Sequence, residues 1–185
     1  MPSRTHNGLV TFHLGFVTGA TPDKWAGTWR ERQREPIELV PVTEDVQEHG
    51  VRTGALDMAL VRLPVDREGL HLIPLYDELP VAVMNIDNTL TLLDEVTTED
   101  LADEHQDWTG LTVRESVETV GAGTGVLVVP MSVARLHQRK DVTFRTVTDL
   151  PSTTIGLAWL VDNDDPRVQT FIGIVRGRSE RSSRD

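Results

Sequence analysis

The chain contains no cysteine, which removes disulfides, thiolate nucleophiles and cysteine-ligated metals from consideration. No apolar run reaches the ~18 residues that a membrane-spanning helix needs. Residues 1–8 are polar and lack the apolar core of a signal peptide. Basic residues are also scarce. Eighteen Lys and Arg stand against 29 Asp and Glu, for a net charge of −11 and a pI near 4.9. Binding to a phosphate backbone needs clustered cations, so direct DNA contact by this chain is not expected. These absences point to a cytoplasmic protein with no membrane contact. Its 185 residues suffice for one large domain or two small lobes with cores of their own.

Catalytic signatures are missing too. The six histidines (His6, His13, His49, His71, His105 and His137) show no metal-ligand spacing such as His-Glu-x-x-His. There is no Gly-x-Ser-x-Gly nucleophile elbow. The glycine run at 121–125 follows a helical pattern and precedes a strand pattern. A dinucleotide-binding turn requires the opposite order, so the run is read as a helix stop and a tight turn. Acidic clusters at 94–95, 103–104 and 162–165 suit solvated caps and loops better than paired catalytic carboxylates, which need enforced proximity. No enzymatic activity, no cofactor and no metal are expected.

What is present is an alternation of strand and helix patterns. Residues 9–17 read as a strand, with Val10, Phe12, Leu14 and Phe16 on one face. Thr21 and Pro22 are a good N-cap and first helical residue. The helix they open runs to about Arg34, with Trp25 and Trp29 one turn apart. Its N–H groups, beside the Thr18 and Thr21 hydroxyls, form either an anion site or an ordinary helix start. Residues 37–42 read as a second strand. Thr43 caps a second helix over 44–53, with Glu44 and Asp45 at its positive end. Gly54 ends it, and 56–61 form a short buried strand left through Arg62. This β-α-β-α-β pattern implies parallel strands. Thr18, Gly19, Thr43 and Arg62 then share the carboxyl edge of one sheet, where open α/β sheets bind ligands. A guanidinium there presents a planar fork that fits a carboxylate. The other reading of Arg62 is a residue leaving the core to pair with a surface acid.

Further strands are read at 70–75, 80–84, 126–129, 142–147 and 154–161. Thr98 opens a short helix over 99–103, and 105–110 are loop. Thr112 and Glu115 form a capping box for a helix ended by the 121–125 glycines. Residues 130–132 start a helix to about Arg139. Asp165 and Pro166 open a last helix, with Val168, Phe171, Ile172 and Val175 on its apolar face and Gly177 as its stop.

Three stretches carry a resemblance. They are LGFVTG at 14–19, RTGALDMALVR at 52–62 and VETVGAGTGVLVVPMS at 117–132. The ordered set, covering about residues 9–177, resembles the effector-binding domain of LysR-type transcriptional regulators. The third stretch is similar to the family's "LVAAGxGxxLLPxS" helix-turn-strand. The resemblance implies an α/β fold of the type II periplasmic-binding-protein-like kind, with two Rossmann-like lobes joined by crossing strands. Residues 9–80 and 160–178 would form the first lobe and 81–159 the second, with 1–8 and 179–185 as flexible termini. A small effector, a carboxylate or other anion, would bind in the cleft between the lobes. By position, the family's ligand contacts fall on Thr18, Gly19, Thr21, Thr43, Arg62 and Leu63. They also fall on Ala82 and Val83 at the hinge and on Thr124, Gly125 and Pro130 in the second lobe. A dimer surface is implied at Trp25, Trp29, Phe171 and Val175.

Two departures from the family follow. No winged helix-turn-helix precedes Leu9; either it has been trimmed away or the chain is a stand-alone copy, and the polar start favours the second. The stretch at 104–112 is short, so the second lobe is expected to be shortened. The implied function is effector sensing for transcriptional regulation. The alternative is a stand-alone interaction module with a vestigial cleft, which modulates a partner regulator as a homodimer or heterodimer.

Overall fold

Apolar alternation decides where the first long strand begins. In the computed structural model, which describes residues 5–6 and 9–177, β1 (Thr5–His6) pairs antiparallel with β2 (Leu9–Val10), and β3 (Phe12–Val17) follows. Phe12 and Leu14 are fully buried, and Phe16 packs against the same core. Val10 is 42% exposed, so it is not part of the expected face. The termini expected to be flexible, 1–8 and 179–185, lie almost wholly outside the described residues.

The chain forms two compact units. One comprises residues up to Tyr76 together with those from Ile155 onward, and the other comprises Asp77–Thr154. The passages fall a few residues from the expected 80/81 and 159/160. Most of the last strand pairs inside the first unit, which draws the boundary back to residue 155.

In the first unit, β4 (Ile37–Val42) and β5 (Met58–Arg62) flank β3, both parallel to it. β6 (Leu70–Glu78) and β11 (Thr153–Leu160) complete the sheet in the order β4-β3-β5-β11-β6, with β11 antiparallel to β5. One core layer joins β3 to α1 (Asp23–Arg32) and α5 (Pro166–Val175). Its centre is the Phe12 ring, stacked on Trp29 at 4.7 Å and tilted against Phe171 at 5.7 Å. Ring pairs at such spacings add to the area they bury. The Trp29 indole N–H donates to the Glu35 carbonyl at 2.7 Å, so its polar edge is satisfied inside the core. The second layer packs Val51, Leu56, Ala59, Val61 and Ala158 together.

The expected helix over 44–53 is instead a 3-10 turn, Glu44–Val46, followed by α2 (His49–Arg52). The break falls at Gln47, whose side chain is turned onto the backbone of β5.

The second unit holds β7 (Pro80–Asn85), β8 (Glu95–Val96), β9 (Val126–Pro130) and β10 (Val142–Val147), in the order β8-β10-β7-β9. α3 (Val113–Gly121) starts with the expected capping box: Thr112 accepts from the Glu115 N–H, and Glu115 accepts from the Thr112 N–H. α4 (Met131–Leu136) ends before Arg139, which instead holds Asp141 in the following turn at 2.9 Å. Residues 99–103 form turns, not a helix. Asp100 takes the Thr97 N–H and hydroxyl, and Asp149 takes those of Thr98. Such local side-chain bonds compete with helical pairing.

Asp165 caps α5 through the Arg167 N–H and receives the Arg167 guanidinium at 2.6 Å. Arg167 also lies over the Phe12 ring and donates to the Val10 carbonyl. Hydrogen bonds from Arg167 hold the Asp165 carboxyl below its ordinary value. A carboxylate depressed on folding adds stability that is full above the unfolded pKa, about 3.9, and lost as the pH falls through the folded one. Asp165→Asn should therefore be less stable than wild type at neutral pH. That difference should shrink below about pH 4, as urea midpoints measured from pH 3 to 7 will show.

Candidate functional site

The carboxyl edge of the first unit's sheet is built by three strand ends. β3 ends at Val17, and the chain turns through Gly19, whose φ of 91° suits glycine. The Thr18 N–H still reaches the Val42 carbonyl at 3.2 Å, which ties the end of β3 to the end of β4. β5 runs two residues beyond its pairing with β3 and ends on Arg62, which is 2% exposed.

Arg62 is thus the buried last residue of the strand, and it pairs with a surface acid, as its second reading expected. Its Nη1 pairs with the Glu44 carboxylate at 3.0 Å, and its Nη2 donates to the Thr18 carbonyl at 3.0 Å. Glu44 is 60% exposed, so a buried cation faces a solvated acid. The backbone of Arg62 is held by Gln47: the amide Nε2 donates to its carbonyl at 2.9 Å, and Oε1 accepts its N–H at 2.7 Å. Gln47 therefore stands in for the strand that β3 no longer supplies.

The sequence-predicted residues divide into groups. Thr18, Gly19, Thr43, Arg62 and Leu63 lie around this edge. Thr18 contributes its backbone carbonyl, Thr43 flanks the 3-10 turn without capping it, and Leu63 packs half-buried on the second core layer. Thr21 is exposed and caps nothing. Pro22 takes the N-cap position with helical dihedrals, so α1 begins one residue later than expected. Ala82 and Val83 are buried in the middle of β7, between β9 and β10. They are sheet interior rather than hinge, because the chain has entered the second unit several residues earlier. Thr124 is exposed. Gly125, at φ 60°, brings its Cα so close to the His105 carbonyl that a Cβ would lie 2.1 Å from it. Pro130 precedes α4 and is half-buried. Trp29 and Phe171 are fully buried in their own core, so neither offers a dimer surface; Trp25 and Val175 are half-buried beside them.

Sequence reasoning missed Gln47 and the pairing of Glu44. Glu44 lies two residues beyond the end of β4, and its place near that strand end was the available signal. Gln47 gave none, since only the tertiary fold turns it inward. It also missed Glu78, a buried acid of the second unit that accepts a short hydrogen bond from the Ser132 hydroxyl. An open groove of about 490 Å³ in the second unit, lined by Arg114, Val117, Glu118, Leu136 and Arg139, contains none of the expected contacts. Among the described residues, no group of three or more His, Asp or Glu could hold a metal ion, and no helix is long and apolar enough to cross a membrane.

Replacing Gln47 with Leu should cost about 2–4 kcal/mol, because two buried backbone groups of Arg62 lose their partners. Urea unfolding checks this; an unchanged stability would mean that Gln47 does not support the edge.

Known proteins match this chain in sequence and in fold. Residues 27–110 match the model of the LysR substrate binding domain. The Hca operon transcriptional activator HcaR of Escherichia coli (strain K12) is 27% identical, over 89% of this chain and 67% of its own length. The HTH-type transcriptional regulator AlsR of Bacillus subtilis (strain 168) is 26% identical, over 97% of this chain and 70% of its own. Among solved structures, the BenM effector-binding domain with its effector benzoate superposes with a TM-score of 0.77 at 17% identity, covering 90% of each chain. The reduced form of the OxyR regulatory domain from Pseudomonas aeruginosa gives a TM-score of 0.71 at 19% identity, over 90% of this chain and 94% of its own. The resemblance read from the sequence is borne out: the chain matches the LysR substrate-binding domain over residues 27–110 and has the type II periplasmic-binding-protein-like fold of LysR-type effector-binding domains.

Proposed function

We propose that this chain binds a small anionic effector, a carboxylate in the first instance, at the carboxyl edge of the first unit's sheet, and that binding serves transcriptional regulation. The observation that carries this reading is the buried Arg62 guanidinium at the end of β5, oriented by the Thr18 carbonyl and by Gln47. A guanidinium held this way is pre-organised, and it matches a carboxylate in shape and charge. Thr18, Gly19 and Thr43 supply neighbouring backbone and hydroxyl groups at the same edge. The curated relatives are transcriptional regulators, and BenM binds the carboxylate benzoate, which supports the class of ligand. Ligand can shift the chain between states only by the difference in its affinity for them. The response would be passed to DNA through a partner, either a second copy or a full-length regulator, since a net charge of −11 disfavours contact with a phosphate backbone.

A screen of small aliphatic and aromatic carboxylates by thermal shift tests this, because a ligand that binds only the folded state raises its apparent stability. The best anion should lose about 1.5–3 kcal/mol of binding free energy in Arg62→Ala, the range for hydrogen bonds to charged groups. Calorimetric titration reads the change. Equal affinity in the two proteins would return Arg62 to a purely structural role.

A further inference from the structure

We propose that copies of this chain meet head to tail through their second units, with the exposed Leu92 turn of one copy seated in the groove beside α3 and α4 of the next. Three observations carry it: a fixed apolar projection, a groove of matching chemistry, and a division of charge between the two faces that bear them.

The projection is the 3-10 turn Thr89–Leu92, which follows β7. Leu92 is 87% exposed, and Leu93 beside it is 41% exposed. The turn is tied down on all sides of this leucine. Leu90 packs against the layer of Met84, Val96 and Leu101. The Asn88 side chain accepts the Leu90 N–H at 2.8 Å, and the Thr91 hydroxyl donates to the Asn88 carbonyl at 2.6 Å. From β10, the Arg145 guanidinium donates to the Thr91 and Leu93 carbonyls, each at 2.7 Å. An apolar group held out in this way has little ordering entropy left to lose on docking.

The groove of about 490 Å³ lies across the sheet from this turn. Alternate residues of β7 face opposite ways: Ala82 and Met84 meet the Leu90 layer, while Val81 and Val83 meet the layer of Val117 and Ala134. Buried Val117 and Leu136, which is 61% exposed, give the groove an apolar lining. Arg114 and Arg139 line it too, and both lie near Glu118, at 3.2 and 3.8 Å. Charge divides along the same faces. Residues 86–104 contain seven Asp and Glu, among them Asp87, Asp94 and Glu95, and no Lys or Arg. Residues 113–141, which build the groove, contain four Lys and Arg against three Asp and Glu. A leucine on an acidic turn thus matches a leucine-lined groove rimmed by guanidinium groups, so burial and attraction act together.

Because turn and groove lie on opposite faces, each contact leaves a turn open at one end and a groove at the other. Such a heterologous contact does not close at two copies. Sedimentation velocity at rising concentration tests this on wild type, Leu92→Glu, Leu136→Glu and an equimolar mixture of the two variants. Both positions are exposed, so the variants retain the fold. The wild-type sedimentation coefficient should climb past that of a dimer. Each variant alone should need roughly 10- to 100-fold higher concentration for the same rise, having lost a buried leucine contact. The mixture should associate where neither variant does alone, because one keeps the groove and the other keeps the turn. A mixture no heavier than its separate parts would overturn the proposal. So would a wild type that stays at or below a dimer, or an association that neither substitution weakens.

Discussion

A guanidinium buried at the end of a strand must be neutralised and hydrogen-bonded, and the carboxyl edge of the first unit is arranged around that requirement. Arg62 pairs with Glu44, donates to the Thr18 carbonyl and is braced through its own backbone by Gln47. These contacts link β3, β5 and the segment after β4. The broken helix at 44–53 follows from the same arrangement. A continuous amphipathic helix is set aside for a 3-10 turn that supplies an acid and an amide to the end of β5. The pair, buried on the Arg62 side alone, fixes the geometry of this edge.

The sequence-derived view was good where local physics decides. The parallel β3, β4 and β5 came from short apolar runs separated by helical patterns, and their registers agree with it. The Thr112/Glu115 capping box and the Asp165 cap are legible because each is complete within four residues. Errors came where a distant partner decides. Nothing local to Gln47 says that its amide will face the backbone of residue 62, and nothing local to 99–103 says that Asp149 will claim the Thr98 N–H. Trp29 and Phe171 were expected at a dimer surface. The ring of Phe12, arriving from β3, made them core.

Site residues divided along the same line. Thr18, Gly19, Thr43 and Arg62 were placed by strand topology, which collects strand ends at one edge, and they do share that edge. Ala82 and Val83 were placed by family position alone, and the structure puts them in the middle of a four-stranded sheet. Similarity to HcaR, AlsR, BenM and OxyR fixes the kind of fold. The chemistry of the effector has to be argued from the edge itself. What that edge presents is a buried guanidinium paired at 3.0 Å with an exposed carboxylate.

The central claim is that Arg62 and Glu44 are energetically coupled in the free chain, and a double-mutant cycle tests it directly. Urea unfolding of wild type, Arg62→Met, Glu44→Gln and the double variant isolates the pair from the separate effects of each change. The expected coupling is about 1 kcal/mol or more, above the usual value for pairs exposed on both sides, because one partner is buried. A coupling indistinguishable from zero would mean that the 3.0 Å contact between Glu44 and Arg62 holds nothing.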